Sequence, residues 1–194
     1  MKLLKIIPVI LLFIFVSACG EDDFVKPQDS PGLQRGDIEA NRMIITFQPR
    51  SGGGAAQSFE FYDKDGLGGN DPEINESWTL RYPSSGSTRN YSAVTRFYLD
   101  DVDVTERIEA KGENYIVCYR QGNTLNLRVQ DTNLDKNGLK LGTTSNWQTL
   151  DDTGNGGNGS GTLKVTLNYL HLRKEGICDA GVRIFEASIP YQHQ

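Results

Sequence analysis

Met43-Ile44-Ile45-Thr46-Phe47, stopped by Pro49, and Ser58-Phe59-Glu60-Phe61-Tyr62, reached through Gly52-Gly53-Gly54, decide the fold class. The first run is β-branched and aromatic, residue types that suit a pleated, half-buried surface. In the second, Phe59 and Phe61 alternate with Ser58 and Glu60, the period of a strand with one face on a core. The pattern repeats outward from there. Ser77-Trp78-Thr79-Leu80-Arg81-Tyr82 puts Trp78, Leu80 and Tyr82 on one face, Asn90 to Leu99 continues the theme, and a shorter segment runs near Val102 to Ile108. Asn114 to Tyr119 and Thr124 to Val129, separated by Arg120-Gln121-Gly122-Asn123, read as a hairpin. Thr162 to Leu172 and Gly181 to Tyr191 bring the count to eight or nine strands. No helical apolar stripe runs longer than two turns. The expectation is an all-β domain over residues 42–194, a single antiparallel β-sandwich or small barrel, with Asp152 to Gly161 a long loop inside it.

The N-terminal segment is of another kind. Lys2 and Lys5 precede an apolar run from Ile6 to Val16, and Val16-Ser17-Ala18-Cys19 follows as a lipobox. The run has 11 residues, against the roughly 20 that a spanning helix needs. Residues 1–18 therefore read as a lipoprotein signal peptide, with lipid such as palmitate attached at Cys19. Residues 19–41 read as a tether, with Glu21-Asp22-Asp23 at its start and Pro27, Pro31, Gly32 and Gly36 along it. The acidic triplet is either a surface-export signal or a solvated linker, so the cell surface and the periplasmic face both stay open.

Removing residues 1–18 leaves 176 residues with 18 basic and 25 acidic side chains, a balance of −7. No basic stripe is present to displace counterions from phosphate, which excludes a nucleic-acid partner and argues against docking on anionic headgroups. Besides Cys19, Cys118 and Cys178 form an even pair, expected as a disulfide in an oxidising compartment, with two buried thiols as the alternative.

Site candidates are few. Asp63-x-Asp65-Gly66 ends one strand, and Asp131-x-Asn133-x-Asp135-x-Asn137-Gly138 follows another. Oxygen donors at alternate positions suit a hard cation, and calcium takes six to eight of them at 2.3–2.6 Å. Read from Asn133, the second loop opens like an EF-hand but has Thr144 where the closing Glu belongs. Asx-turns between strands need no ion and are the competing reading. The two histidines, His171 in a strand and His193 beside the C-terminus, bring no nucleophile elbow or Cys-His signature. Asp100, Asp101 and Asp103 read as a solvated bend rather than glycosidase carboxylates. Trp78, Tyr82, Tyr91, Phe97, Tyr98, Tyr115, Tyr119, Trp147 and Tyr169 read as core and cross-strand aromatics before they read as a carbohydrate- or haem-binding face.

The run from Phe61 to Pro72 (F-Y-D-K-D-G-L-G-G-N-D-P) resembles the F-x-D-x-D-G-x-G-G-x-x-P motif of small outer-membrane lipoproteins of the Bacteroidota. Asp135-Lys136-Asn137-Gly138 with Leu141-Gly142 is similar to their D-x-N-G…G segment, and Gly161 to Leu167 to their penultimate strand. The likeness spans roughly Met43 to Pro190. It implies a cell-envelope protein encoded near TonB-dependent receptors and serving uptake, with no activity to carry over. That pattern places histidines near Tyr115 and Tyr169, so the resemblance implies no histidine ligand site in this chain. The expected function is a non-catalytic, lipid-anchored accessory that binds a ligand or an outer-membrane β-barrel. A structural module steadied by calcium is the alternative, and a glycan-active enzyme a more distant one.

Overall fold

A computed structural model describes residues 36–50, 54–67, 69, 73–74, 78–80, 89–121, 127–149, 160–171, 174, 177–178 and 180–193. The lipobox with Cys19, the tether as far as residue 35, Tyr82 and most of the 152–161 loop lie outside these residues.

Two sheets face each other as a β-sandwich, and no barrel closes. The larger sheet holds β1 (Arg42–Pro49), β2 (Gln57–Tyr62), β3 (Glu73–Ile74), β5 (Arg89–Leu99), β6 (Val102–Asp103), β8 (Leu127–Leu134) and β9 (Lys140–Thr149). Its order is β3-β2-β1-β5-β9-β8, with β6 paired to β5. The smaller sheet has the order β4-β11-β10-β7, from β4 (Trp78–Leu80), β7 (Tyr115–Gln121), β10 (Ser160–Tyr169) and β11 (Val182–His193). Pairing is antiparallel except between β4 and β11.

Period-two alternation sets which residues meet between the sheets. From the larger sheet come Met43, Ile45, Phe47, Phe59, Phe61, Tyr91, Ala93, Phe97 and Trp147; from the smaller come Leu163, Val165, Leu167, Phe185, Ala187 and Ile189. Aromatic edges join the layers: Phe97 meets Phe185 with ring centroids 6.0 Å apart, and Tyr119 meets Trp147 at 5.0 Å. One polar tie crosses the core. The Tyr119 hydroxyl donates to the Gly142 carbonyl at 2.7 Å and shares a second hydrogen bond, also 2.7 Å, with Thr95 Oγ1. Gly142 sits at φ +91, and a Cβ there would strike the Val117 carbonyl. Only glycine lets β9 pass this close to β7.

Four sequence expectations need correction. The hairpin of Asn114–Tyr119 with Thr124–Val129 does not form: β7 pairs with β10 in one sheet and β8 with β9 in the other. A polar turn was legible, but the two strands belong to different sheets. The Val102–Ile108 segment is a strand for two residues only, then becomes the helix α1 (Thr105–Ala110). Val104 and Ile108, four apart, are 1% and 0% exposed, a helical spacing concealed by the β-branched composition. The tether does not extend to Asn41: Gly36 is buried and Ile38 is wholly inside the core, so the folded unit begins before residue 42. The strand count also exceeds eight or nine, because β3, β4 and β6 are too short to carry a periodic signal.

Strand directions give the sandwich two ends. The N-terminal segment, α1, the β8–β9 turn and the 170–181 connection share one of them, which is where the charged groups gather.

Candidate functional site

At that end the incoming chain is clamped. The Asp37 carboxylate pairs with Lys111 and accepts a hydrogen bond from the Tyr115 hydroxyl at 3.4 Å, while Arg107 donates to the Asp37 carbonyl. Lys111, beside it, holds the Asp37 carboxyl below its usual range. Gly36 lies flat on an aromatic pair, Tyr115 and Tyr169, whose ring centroids are 5.2 Å apart; any Cβ at Gly36 would run into both side chains. Burial pushes the Tyr115 phenol up to about 12. His171 stands at the edge of this stack, its Nδ1 3.4 Å from the Tyr169 hydroxyl.

Cys118 and Cys178 are joined in a disulfide with Cα atoms 5.6 Å apart. The bridge holds the 170–181 connection against the outer face of the smaller sheet, where Ile116, Cys118 and Leu170 form a second apolar cluster. Asn168 Nδ2 donates to the Cys178 carbonyl at 3.2 Å, which satisfies a buried amide under the cover.

The residues expected to hold calcium are dispersed. Asp131 and Asn133 lie two apart in β8, and residues at that spacing along a strand are roughly 6.6 Å apart. Asp131 Oδ1 accepts from Asn146 Nδ2 at 2.6 Å. Asn133 Oδ1 accepts from the Gly142 and Thr144 amides, and its Nδ2 donates to Thr143 Oγ1, so this side chain fills the irregularity between β8 and β9. Asp135 Oδ1 accepts from the Asn137 and Leu139 amides at 2.8 and 2.9 Å. Asp135 Oδ2 lies 3.0 Å from Lys174 Nζ, and the two side chains are 1% and 2% exposed. Asn137 is exposed. The positive charge at this loop is a lysine ammonium, and the donors do not converge on a common point as a calcium sphere requires.

Asp63 and Asp65 behave as turn residues. Asp63, 5% exposed, accepts from the Gly66 amide at 2.8 Å, with Gly66 at φ +78. Burial pushes the Asp63 carboxyl up, and neighbouring Asp65 adds to the rise. Among the described residues no three His, Cys, Asp or Glu side chains are grouped to share a metal ion.

Of the aromatics, Tyr91, Phe97, Tyr115 and Trp147 are buried, whereas Tyr98 lies on the outer face of the larger sheet under the Arg42 guanidinium, 5.0 Å from its ring centroid. Asp100 accepts from Asn41 and Asp101 is fully exposed, as a solvated bend should be. No sequence pattern marks Asp37, Lys111 or Lys174. Lys174 stands in the charged string Arg173-Lys174-Glu175, which looks like any solvated loop.

The chain matches no known protein family, no curated protein and no solved structure. The likeness to Bacteroidota lipoproteins therefore rests on the quoted motifs.

Proposed function

We propose that this protein is a lipid-anchored accessory of the outer membrane, acting by binding beside a receptor or uptake system rather than by catalysis. The observation that supports it is the clamp on the incoming chain. A module joined to a lipid by a passive linker has no need to lock its first residues, yet Gly36, Asp37 and Ile38 are seated in the fold by an ion pair, an aromatic stack and core burial. Such a clamp fixes the end of the sandwich from which the tether leaves, and the opposite end, where β1, β7 and β9 finish, is left for a partner.

The test is recovery of the intact lipoprotein from membranes after mild cross-linking. An outer-membrane β-barrel should accompany the wild-type chain and be lost with Cys19→Ala, which also releases the protein into the soluble fraction. A Cys19→Ala protein that stays in the membrane and keeps the same companion overturns the reading.

A further inference from the structure

Lys174 and Asp135 differ from every other ion pair described in this molecule by being dry. Lys111, Lys136 and Lys164 keep 47%, 65% and 41% of their side chains exposed, against 2% for Lys174. The surroundings are those of a reaction as much as of a salt bridge. Lys174 Nζ is fixed by the Gly112 carbonyl at 2.7 Å and sits 3.0 Å from Asp135 Oδ2. The other carboxylate oxygen, Oδ1, takes two backbone N–H donors, from Asn137 and Leu139. Glu113 follows Gly112 directly but is held through Oε1 by Lys136 at 2.9 Å, so the carboxylate in hydrogen-bond contact with Lys174 is Asp135 itself.

We propose that Lys174 and Asp135 condense to an intramolecular amide, a covalent tie between the β8–β9 turn and the 170–181 connection. Nζ, after giving a proton to Asp135 Oδ2, 3.0 Å away, attacks Asp135 Cγ. The Nζ–Cγ bond forms, and the charge that develops on Oδ1 is met by the Asn137 and Leu139 amides, two preorganised donors of the oxyanion-hole kind. The Cγ–Oδ2 bond then breaks. Oδ2 leaves as water, carrying the two protons that the ammonium gives up. An ammonium and a carboxylate become an amide and a water, so charge and atoms balance and no oxidant or activating group is required.

Two physical terms favour the step. Held reactants have effective molarities of about 10⁵ M or more, which offsets the unfavourable condensation of an acid and an amine in bulk water. Burial also penalises the two charges, and the amide removes both. Burial draws the Lys174 ammonium down from its usual range, toward the free amine that attacks. Asp135 takes its proton from Lys174 directly, against the Leu139 and Asn137 amides and the ammonium, which hold its carboxyl below the usual range. The link would lie within the segment closed by the Cys118–Cys178 bridge, so two covalent ties would fasten the same connection.

Intact mass of the purified, fully reduced protein decides the matter, whatever any variant does to folding. The expected mass is one water below that of the same chain unlinked, with a branched peptide joining Asp135 and Lys174 after digestion. Lys174→Arg should restore the full mass and slow migration in denaturing gels under reduction. A wild-type chain at full mass, with Lys174 open to trypsin, overturns the proposal.

Discussion

The two outer faces of this sandwich have opposite fates. On the larger sheet the outward residues of β1, β2, β5 and β9, among them Thr46, Ser58, Val94, Thr144 and Asn146, meet solvent and pair with neighbours on the same face, as Thr46 does with Ser58 and Asn146 with Asp131. On the smaller sheet the outward residues of β7 and β10, Ile116, Cys118, Thr166, Asn168 and Leu170, lie under the 170–181 connection. One face needs nothing beyond its strands. The other depends on a cover held by a disulfide, the buried Lys174–Asp135 pair and an amide hydrogen bond. Backbone hydrogen bonds hold a sheet, but a loop laid on a sheet must be fastened by side chains.

The largest effect that would break this contrast is at Lys174. Lys174→Ala leaves the Asp135 carboxylate buried without its partner, and loss of one member of a buried pair costs about 3–5 kcal/mol. Urea unfolding should show that loss; a change below about 1 kcal/mol would mean the cover is not fastened there. Next comes the bridge. Converting both Cys118 and Cys178 to Ser should cost about 2–4 kcal/mol and raise amide exchange across 163–170, while leaving β1 and β2 protected.

The core tie between the faces comes third. Burial pushes the Tyr119 phenol up to about 12 from its ordinary 10, partly offset by the bond to Thr95, and Tyr115 is raised likewise. An unfolded chain loses these protons near pH 10 while the folded one keeps them, so stability is intact below pH 10 and falls between 10 and 12. Tyr119→Phe should cost about 1–3 kcal/mol at neutral pH, by leaving Thr95 and Gly142 short of a partner, and should flatten the alkaline decline. The smallest effects belong to the open face: Val94→Thr should stay within about 0.5 kcal/mol, and calcium or its chelation should leave Tm unchanged, because a lysine supplies the cation at Asp135. A rise in Tm with calcium would restore the calcium-steadied reading.

The open face was legible in the sequence and the covered one was not. Alternation in Met43–Phe47 and Ser58–Tyr62 reports a surface buried on one side, and the sandwich follows from it. In β10 both faces are buried, so Leu163, Val165 and Leu167 mark the inner side while Thr166 and Asn168 hide the outer one behind polar identities. The acidic loops drew attention for the right residues and the wrong partner. Asp135 does meet a positive charge, but it arrives from Lys174, 39 positions away, and nothing local announces it. The Asp37 clamp is hidden for the same reason: Lys111 and Tyr115 lie more than 70 positions down the chain.

The proposed place in the envelope turns on the thiol at Cys19, and the N-terminus of protein isolated from native membranes tests that most directly. Mass spectrometry should find the chain beginning at an acylated Cys19, with residues 1–18 gone. A chain that still begins at Met1, or one cut elsewhere and carrying no lipid, would contradict the account.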